Sequence, residues 1–399
     1  MQFSKPHPVL QKHLKSVGVN WSSVLDVEHW LEFWKAQEPP EELKNDLNFM
    51  ADWVSAGAHG KMHFLERNHQ ARMDARRILE SVSSILSLII PYDTGSSVRG
   101  FNNASPQHQL TPLVEKIARY ARLPDYHKVI KKELDKVMHS WLAEAQSTGL
   151  ISAPVEWRVV TDSLPFLDRA HARLAGLGFV GKNTMLIRPG VGSYFFIAHV
   201  LLSADFSTSA NSEGEKPLAA NAIEQLSCGD CRRCLDACPT QALSAPYYLN
   251  ANKCLSYLSI EHRSTVPTEY ISHFAERFYG CDICQEVCPY NFKTTPLETL
   301  KGFTQHHAGF THQTMHDIAS MTPAQYEKWF AGTAMTRAKY SGLVRNALYS
   351  LYACKDPNLQ PILDSRSSDT DPLIKATVIQ VLELLGGALN KPQVDSDPQ

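Results

Sequence analysis

Eight of the chain's nine cysteines lie between Cys228 and Cys288, and the ninth is Cys354. The run Cys228-x2-Cys231-x2-Cys234-x3-Cys238-Pro239 has the spacing with which bacterial ferredoxins hold [4Fe–4S] clusters, the last thiolate serving a second cluster. Three thiolates two residues apart wrap one face of a cubane, the proline turns the chain away, and the fourth thiolate is directed at the neighbouring cluster. A four-cysteine zinc site is the alternative, but such sites normally use two separated C-x2-C pairs. A second motif, Cys281-Asp282-Ile283-Cys284-Gln285-Glu286-Val287-Cys288-Pro289, is one ligand short, because the position of the missing cysteine is Phe278. Cys254 is the unassigned thiol nearby. The allocation then closes as Cys228, Cys231, Cys234 and Cys288 for one cluster, and Cys238, Cys254, Cys281 and Cys284 for the other. Cys354, in an apolar helical setting, reads as a small core residue. Two adjacent clusters pass electrons one at a time, and the rest of the chain must supply their destination.

The elements that position this wire are spread over 399 residues, enough for two to three domains at about 150 residues each. Lys and Arg total 39 against 41 Asp and Glu, a formal net charge of −2, so any contact with nucleic acid needs a local basic patch. With 43% hydrophobic and 20% charged residues the chain can bury ordinary cores. The N-terminal stretch has no apolar segment of the signal-peptide kind. The longest apolar runs, Ser84–Tyr92 and Tyr194–Leu202, fall short of the roughly 18 residues that a membrane helix needs. A cytoplasmic protein with reduced thiols is expected.

Residues 1–205 read as one mixed domain. Helical periodicity over Leu43–Trp53, Glu115–Arg122 and His127–Gln146 alternates with apolar runs of strand type at Ser84–Ile90, Val155–Thr161, Thr184–Ile187 and Tyr194–Leu202. The spacing predicts one capped helix over Asp162–Gly178, with Asp162 as N-cap, Pro165 in its first turn and Gly176 or Gly178 as its stop. Residues 206–222 are small and polar and read as a linker, and 223–300 carry the cysteines. Residues 301–390 are assigned to a helical domain, the composition turning helical and apolar from about 322. Leu343-Val344-Arg345-Asn346-Ala347 and Leu373-Ile374-Lys375-Ala376-Thr377 recur 30 residues apart, as in short HEAT-like repeats, and 391–399 is a disordered tail.

Several stretches resemble the epoxyqueuosine reductase family, cobalamin-dependent iron–sulfur enzymes of tRNA queuosine modification. They are Val160-Thr161-Asp162-Ser163, Asp168-Arg169-Ala170, Gly176-Leu177-Gly178-Phe179-Val180-Gly181-Lys182-Asn183, Gly192-Ser193-Tyr194, Cys254-Leu255-Ser256-Tyr257-Leu258 and Gly280-Cys281-Asp282-Ile283-Cys284-Gln285. The order and spacing agree from about residue 70 to 300, and the split second cysteine motif with its distant Cys254 is part of the match. The resemblance implies an α+β protein: a nitroreductase-like α/β cobalamin domain, a bacterial-ferredoxin-like two-[4Fe–4S] domain, and C-terminal HEAT-like α-helical repeats that bind tRNA.

The same resemblance implies base-off cobalamin. No D-x-H-x-x-G element is present, since Asp125-Tyr126-His127 lacks the glycine, so a histidine ligand from that motif is excluded. By the family pattern Asp162 donates a proton beneath the cobalt, which requires burial to raise its pKa. Without the resemblance, Thr161-Asp162-Ser163-Leu164-Pro165 reads as a helix N-cap, and a capping carboxylate prefers to stay ionised. Corrin contacts are implied at Arg72, Ala118, Asp162, Leu186, Ile197, Ser256, Glu261, Cys281 and Asp282. For Arg72 the plain alternative is a solvated helix face, for Leu186 and Ile197 it is core packing, and Glu261 lies in a stretch that diverges from the family. Lys182 is expected to meet a phosphate, the corrin or a carboxylate.

Candidate phosphate contacts are Arg232, Arg233, Arg263, Lys328, Arg337, Lys339 and Arg345, with Trp329 and Tyr340 available to stack on a splayed base. The partners implied are tRNA with a queuosine-type anticodon and a low-potential donor such as flavodoxin or ferredoxin, and the chain is expected to act as a monomer. The reading competes with a corrinoid reductase of a small, dehalogenase-type substrate, and with a pure electron-transfer protein in which residues 1–205 are a docking scaffold.

Overall fold

The apolar runs that read as strands become the centre of a sheet. In the computed structural model β3 (Ser84–Pro91) is buried along its whole length and β7 (Phe195–Leu202) nearly so. They pair antiparallel, with Ser84 opposite Leu202 and Ile89 opposite Ile197. Burial on both faces requires layers on both sides, and the β-branched and aromatic residues here suit that setting. β4 (Trp157–Val160) pairs with the other edge of β7, so that Val160 lies opposite His199. β2 (Trp21–Asp26) and β1 (Phe3–Ser4) extend the sheet beyond β3, giving the order β1-β2-β3-β7-β4. A separate hairpin joins β5 (Phe179–Val180) to β6 (Leu186–Ile187). The described residues are 3–27, 41–67, 72, 74–92, 113–204, 226–292, 297–310 and 312–389. The expected 206–222 linker and 391–399 tail lie outside them.

The chain divides into two compact units: Met1–Gly100 with Leu123–Asn252 and Asp282–His306, and Phe101–Arg122 with Lys253–Cys281 and His307–Gln399. The cysteine segment contributes to both. The first unit holds the sheet with α1 (Pro8–Ser16), α2 (Glu41–Ser55), α3 (Tyr126–Ser147) and α4 (Asp168–Leu174). In α3 the buried residues Tyr126, Ile130, Leu134, Val137, Met138, Trp141 and Ala145 follow helical spacing, and Asp125 caps the helix through the His127 amide.

The second unit is helical. Its α5 (Leu255–Ile260), α6 (Met315–Ser320), α7 (Pro323–Phe330), α9 (Leu359–Arg366) and α10 (Pro372–Leu389) surround α8 (Lys339–Ala353), in which every residue from Gly342 to Leu351 is buried. Thr314 with Asp317, and Thr322 with Gln325, form capping boxes that start α6 and α7. The two recurring pentapeptides fall in α8 and α10. No helix among the described residues is long and apolar enough to cross a membrane.

Two expectations are corrected. Glu115–Arg122 is not one helix but two 3₁₀ turns, Leu113–Lys116 and Arg119–Arg122. Between them Ile117 bridges to Tyr279 and the Ala118 N–H donates to the Tyr279 carbonyl, which takes the backbone out of the helical register. The helix foreseen from Asp162 is only α4, Asp168–Leu174. Asp162 has φ +34°, left-handed for a residue with a Cβ, and residues 163–167 run through tight turns.

Candidate active site

The first unit positions Asp162 at the end of β4. The preceding Thr161 donates its hydroxyl to the Ile197 carbonyl at 3.1 Å, which ties this end of the strand to β7. Asp162 then turns left-handed, a conformation that costs of order 1–3 kcal/mol in a non-glycine residue and persists where the surroundings dictate it. Its carboxylate is 55% exposed, not buried as a lone proton-donating carboxyl requires. The N-cap reading fails as well, because the residue before α4 is Leu167 and no side chain caps that helix.

Two side chains from the start of α3 hold the Asp162 carboxylate. Tyr126 donates its hydroxyl to Oδ2, and His127 Nε2 lies 2.5 Å from Oδ1. The other ring nitrogen of His127, Nδ1, lies 2.9 Å from Asp125 Oδ1. Burial opposes charge on His127, but the bonds to Asp125 and Asp162 outweigh it and push the imidazole up to about 9. At neutral pH it is therefore an imidazolium gripped between two carboxylates. Tyr126 is itself stacked between Phe196, with ring centroids 4.4 Å apart, and His127, at 4.0 Å. In sequence, Asp125-Tyr126-His127 stands out only as a cobalt-ligand motif that lacks its glycine, and does not show this grip. An N-cap Asp two residues before a His was the available signal.

Beneath this group lie buried polar residues. The Asp168 carboxylate accepts the Asp162 N–H at 3.4 Å, and its burial, aided by the charge of Asp162, raises it to about 7. His199 is fully buried, bonds the Ser87 hydroxyl through Nδ1 at 2.9 Å, and has Nε2 3.8 Å from Asp168. Burial holds it well below the ordinary imidazole range, so it is neutral. Arg72 is 8% exposed, and one guanidinium nitrogen donates to the Phe64 carbonyl at 3.2 Å. Its Nε is buried with no hydrogen-bond partner among the described residues. Leu186 and Ile197 belong to the hydrophobic core formed by β3, β4, β7 and α4.

The thiols also converge. Cys228, Cys231, Cys234 and Cys288 line one pocket with Asn183, Ile187, Arg233, Pro289 and Tyr290. Four thiols facing one small space fit a cubane. Burial, and then the nearby Cys228, hold the Cys234 thiol up at about 11, a cost that iron coordination removes. Cys238 and Cys284 pack together with Cys234, Leu235, Leu243, Leu249 and Val287. Cys254 and Cys281 belong to the second unit.

Lys182 is engaged by backbone carbonyls, with no carboxylate partner among the described residues. Its Nζ donates to the carbonyls of Gly229 and Cys231, and its backbone N–H points at Cys228 Sγ at 3.4 Å. Asn183 likewise donates to the Cys284 carbonyl at 3.2 Å. The Gly-Lys-Asn segment is therefore a brace for both cysteine loops, and N–H donation to a cluster sulfur raises its potential. Gly192, at φ +87°, is pressed against Tyr290 and Asn291. A Cβ there would lie 2.2 Å from Asn291 Oδ1, the atom that accepts the Ser193 N–H.

In the second unit Ala118 lies under Gly280, whose added Cβ would meet the Ala118 Cβ at 2.6 Å. This close packing fixes the turn entering Cys281. Ser256 is half-buried on α5. Glu261 is engaged by Arg337 at 2.6 Å and Arg263 at 3.7 Å. Arg263 also donates to the carbonyls of Ile260 and Arg337, while Lys339 stands exposed. Asp282, assigned to the first unit, is 3% exposed and bonded by Gln285 at 3.3 Å.

Arg345 is a correction. It is 0% exposed and donates to the carbonyls of Leu258, His262 and Ser264 at 2.7–2.8 Å, so it reaches no phosphate. It holds the chain on the C-terminal side of α5. Replacing it by Leu strands these buried carbonyls and lowers unfolding stability by about 3 kcal/mol, measurable as a drop in urea midpoint. Tyr340 is also committed, donating to the Met321 carbonyl and accepting from Arg366.

The segments that carry these residues are similar to known proteins. A family model described as "Epoxyqueuosine reductase QueG, DUF1730" matches residues 72–163, and one described as "4Fe-4S double cluster binding domain" matches 227–291. An epoxyqueuosine reductase of Leadbetterella byssophila is 33% identical over 77% of this chain and 90% of its own. That of Cellulophaga algicola is 31% identical over 76% and 89%. A crystal structure of epoxyqueuosine reductase with an epoxyqueuosine-modified tRNA-Tyr stem loop shares the fold, with a TM-score of 0.74 at 24% identity over 97% of this chain and 94% of that one. The paired cysteine loops and the Asp162 segment thus lie within matched regions, and the chain belongs to the epoxyqueuosine reductase family.

Proposed function

We propose that this chain reduces epoxyqueuosine to queuosine at the wobble position of a tRNA anticodon, the last step of that modification, with base-off cobalamin and two [4Fe–4S] clusters as cofactors. Reducing an epoxide to an alkene takes two electrons and two protons and releases the oxygen as water. Bound cobalamin supplies a strongly nucleophilic reduced cobalt. Arg72 fits a corrin, since its buried Nε is a donor awaiting an acceptor such as a side-chain amide oxygen. The thiolates of Cys228, Cys231, Cys234 and Cys288 hold one cluster, and those of Cys238, Cys254, Cys281 and Cys284 the other. The residue ranges 1–205, 223–300 and 301–390 are the nitroreductase-like, ferredoxin-like and HEAT-like parts of this scheme, acting in a monomer fed by a flavodoxin or ferredoxin.

The observation that carries the chemistry is the exposed Asp162 carboxylate gripped by Tyr126 and His127. The proton held at His127 Nε2 reaches the departing oxygen through the Asp162 carboxyl, solvent supplies the second proton by the same exposed carboxyl, and the Tyr126 hydroxyl fixes the second oxygen of that carboxyl. Asp125 holds Nδ1 and so keeps the ring orientation. This relay replaces the burial that a lone carboxylic acid would need.

The relay sets a pH dependence. Because His127 is raised to about 9 from the 6.5 of a free imidazole, its proton is in place at neutral pH and is lost as the pH rises through about 9. Turnover falls across that range, and in His127→Gln the fall disappears from an already lowered rate. The stabilising part of the same pairing is complete below 6.5 and is lost over the same rise. A wild-type profile that stays flat through pH 9 would exclude His127 as the proton source.

The substrate class is tested by offering an epoxyqueuosine-bearing anticodon stem–loop and the free nucleoside in parallel. Conversion of the stem–loop with little of the nucleoside supports an RNA substrate. Equal conversion of both favours the small-molecule reductase.

A further inference from the structure

Away from the cysteines and Asp162, three ligating side chains converge after α2. His59 Nε2 and His63 Nδ1 each lie 2.8 Å from the same oxygen, Glu66 Oε1, and the three donor atoms are within 4.8 Å of one another. We propose that His59, His63 and Glu66 form a binding site for a divalent transition cation of the zinc class.

The donor set selects the ligand. Two imidazole nitrogens with one carboxylate oxygen suit zinc and its neighbours, whereas magnesium and calcium take oxygen ligands. The three atoms must open by about half an ångström to surround a cation at zinc bond lengths of roughly 2.0–2.1 Å. The side chains of His63 and Glu66 are 63% and 43% exposed, so they have the freedom to do so and leave room for water as a further ligand.

His59 is the fixed member. It is 6% exposed and its ring packs edge-on against Trp53. The backbone around it is pegged: the Trp53 indole donates to the Leu249 carbonyl, the Ala251 N–H to the Ala58 carbonyl, and the Asn252 amide to the Gly57 carbonyl. The Phe64 carbonyl between the two exposed ligands accepts from Arg72. A cation here therefore ties residues 57–66 into one rigid brace for the chain between Cys238 and Cys254 and for the Arg72 guanidinium.

The test uses protein carrying both clusters, so that the eight cysteines from Cys228 to Cys288 are occupied. It is dialysed anaerobically against buffered micromolar Zn²⁺, and zinc and iron are counted together by mass spectrometry. The expected result is one zinc per chain above the full iron content, with a nitrogen and oxygen shell in zinc-edge X-ray absorption. The zinc is lost in His63→Gln and in Glu66→Gln, whose exposed positions leave the fold and the iron content intact. No retained zinc, sulfur in the zinc shell, or undiminished zinc in both variants would overturn the site.

Discussion

Asp162→Asn retains both clusters and binds cobalamin, yet turns over about a hundredfold to ten-thousandfold more slowly, the range in which a general acid contributes. The change keeps size and shape but removes the group through which the His127 proton must pass. It also breaks the grip on His127, whose Nε2 loses an anionic partner at 2.5 Å. The loss should therefore fall on the rate at saturating tRNA and leave tRNA affinity nearly unchanged, because the reaction loses its proton while the RNA keeps its surface. Iron content, bound cobalamin and the two rate parameters, measured on one preparation, check this. Full activity in Asp162→Asn would remove the assigned role and restore the view of residues 1–205 as a docking scaffold.

Cys288→Ala loses one cluster and all turnover. Cys288 is 7% exposed and faces Cys228, Cys231 and Cys234 across one pocket, although it lies 50 or more residues from them in sequence. With three thiolates left, the cluster loses its fourth anchor. Iron is expected to fall from about eight atoms per chain toward four, and one of the two low-potential electron paramagnetic resonance signals disappears. Cys254→Ala removes the other signal instead. Iron that stays near eight in Cys288→Ala would break the ligand allocation read from the cysteine spacing.

The convergence of Cys228, Cys231, Cys234 and Cys288 was legible because cluster ligation depends on residue type and spacing, and little else in the chain competes with eight thiols in one segment. β3 and β7 were legible for a similar reason: long apolar runs have few places to go. Asp162 was found through its motif, but its environment was not. Thr161-Asp162-Ser163-Leu164-Pro165 satisfies the local rules for a helix start, and the tertiary bonds from Tyr126 and His127, 35 residues and more away, decide otherwise. Arg345 failed for the opposite reason. A charged residue in an apolar helix reads as a surface cation, yet here it is consumed by backbone carbonyls left over after α5. Lys182 was ambiguous in sequence because only the fold shows which carbonyls lie within its reach.

The proposed reaction is tested most directly by a single turnover under strict anaerobiosis. Protein with both clusters and cobalamin verified as bound is mixed with a low-potential reductant and epoxyqueuosine-containing tRNA, and the digested nucleosides are weighed by mass spectrometry. The expected result is cobalamin-dependent loss of one oxygen atom from the modified base, giving queuosine. Unchanged epoxyqueuosine, with every cofactor in place, would contradict it and point to a small-molecule substrate.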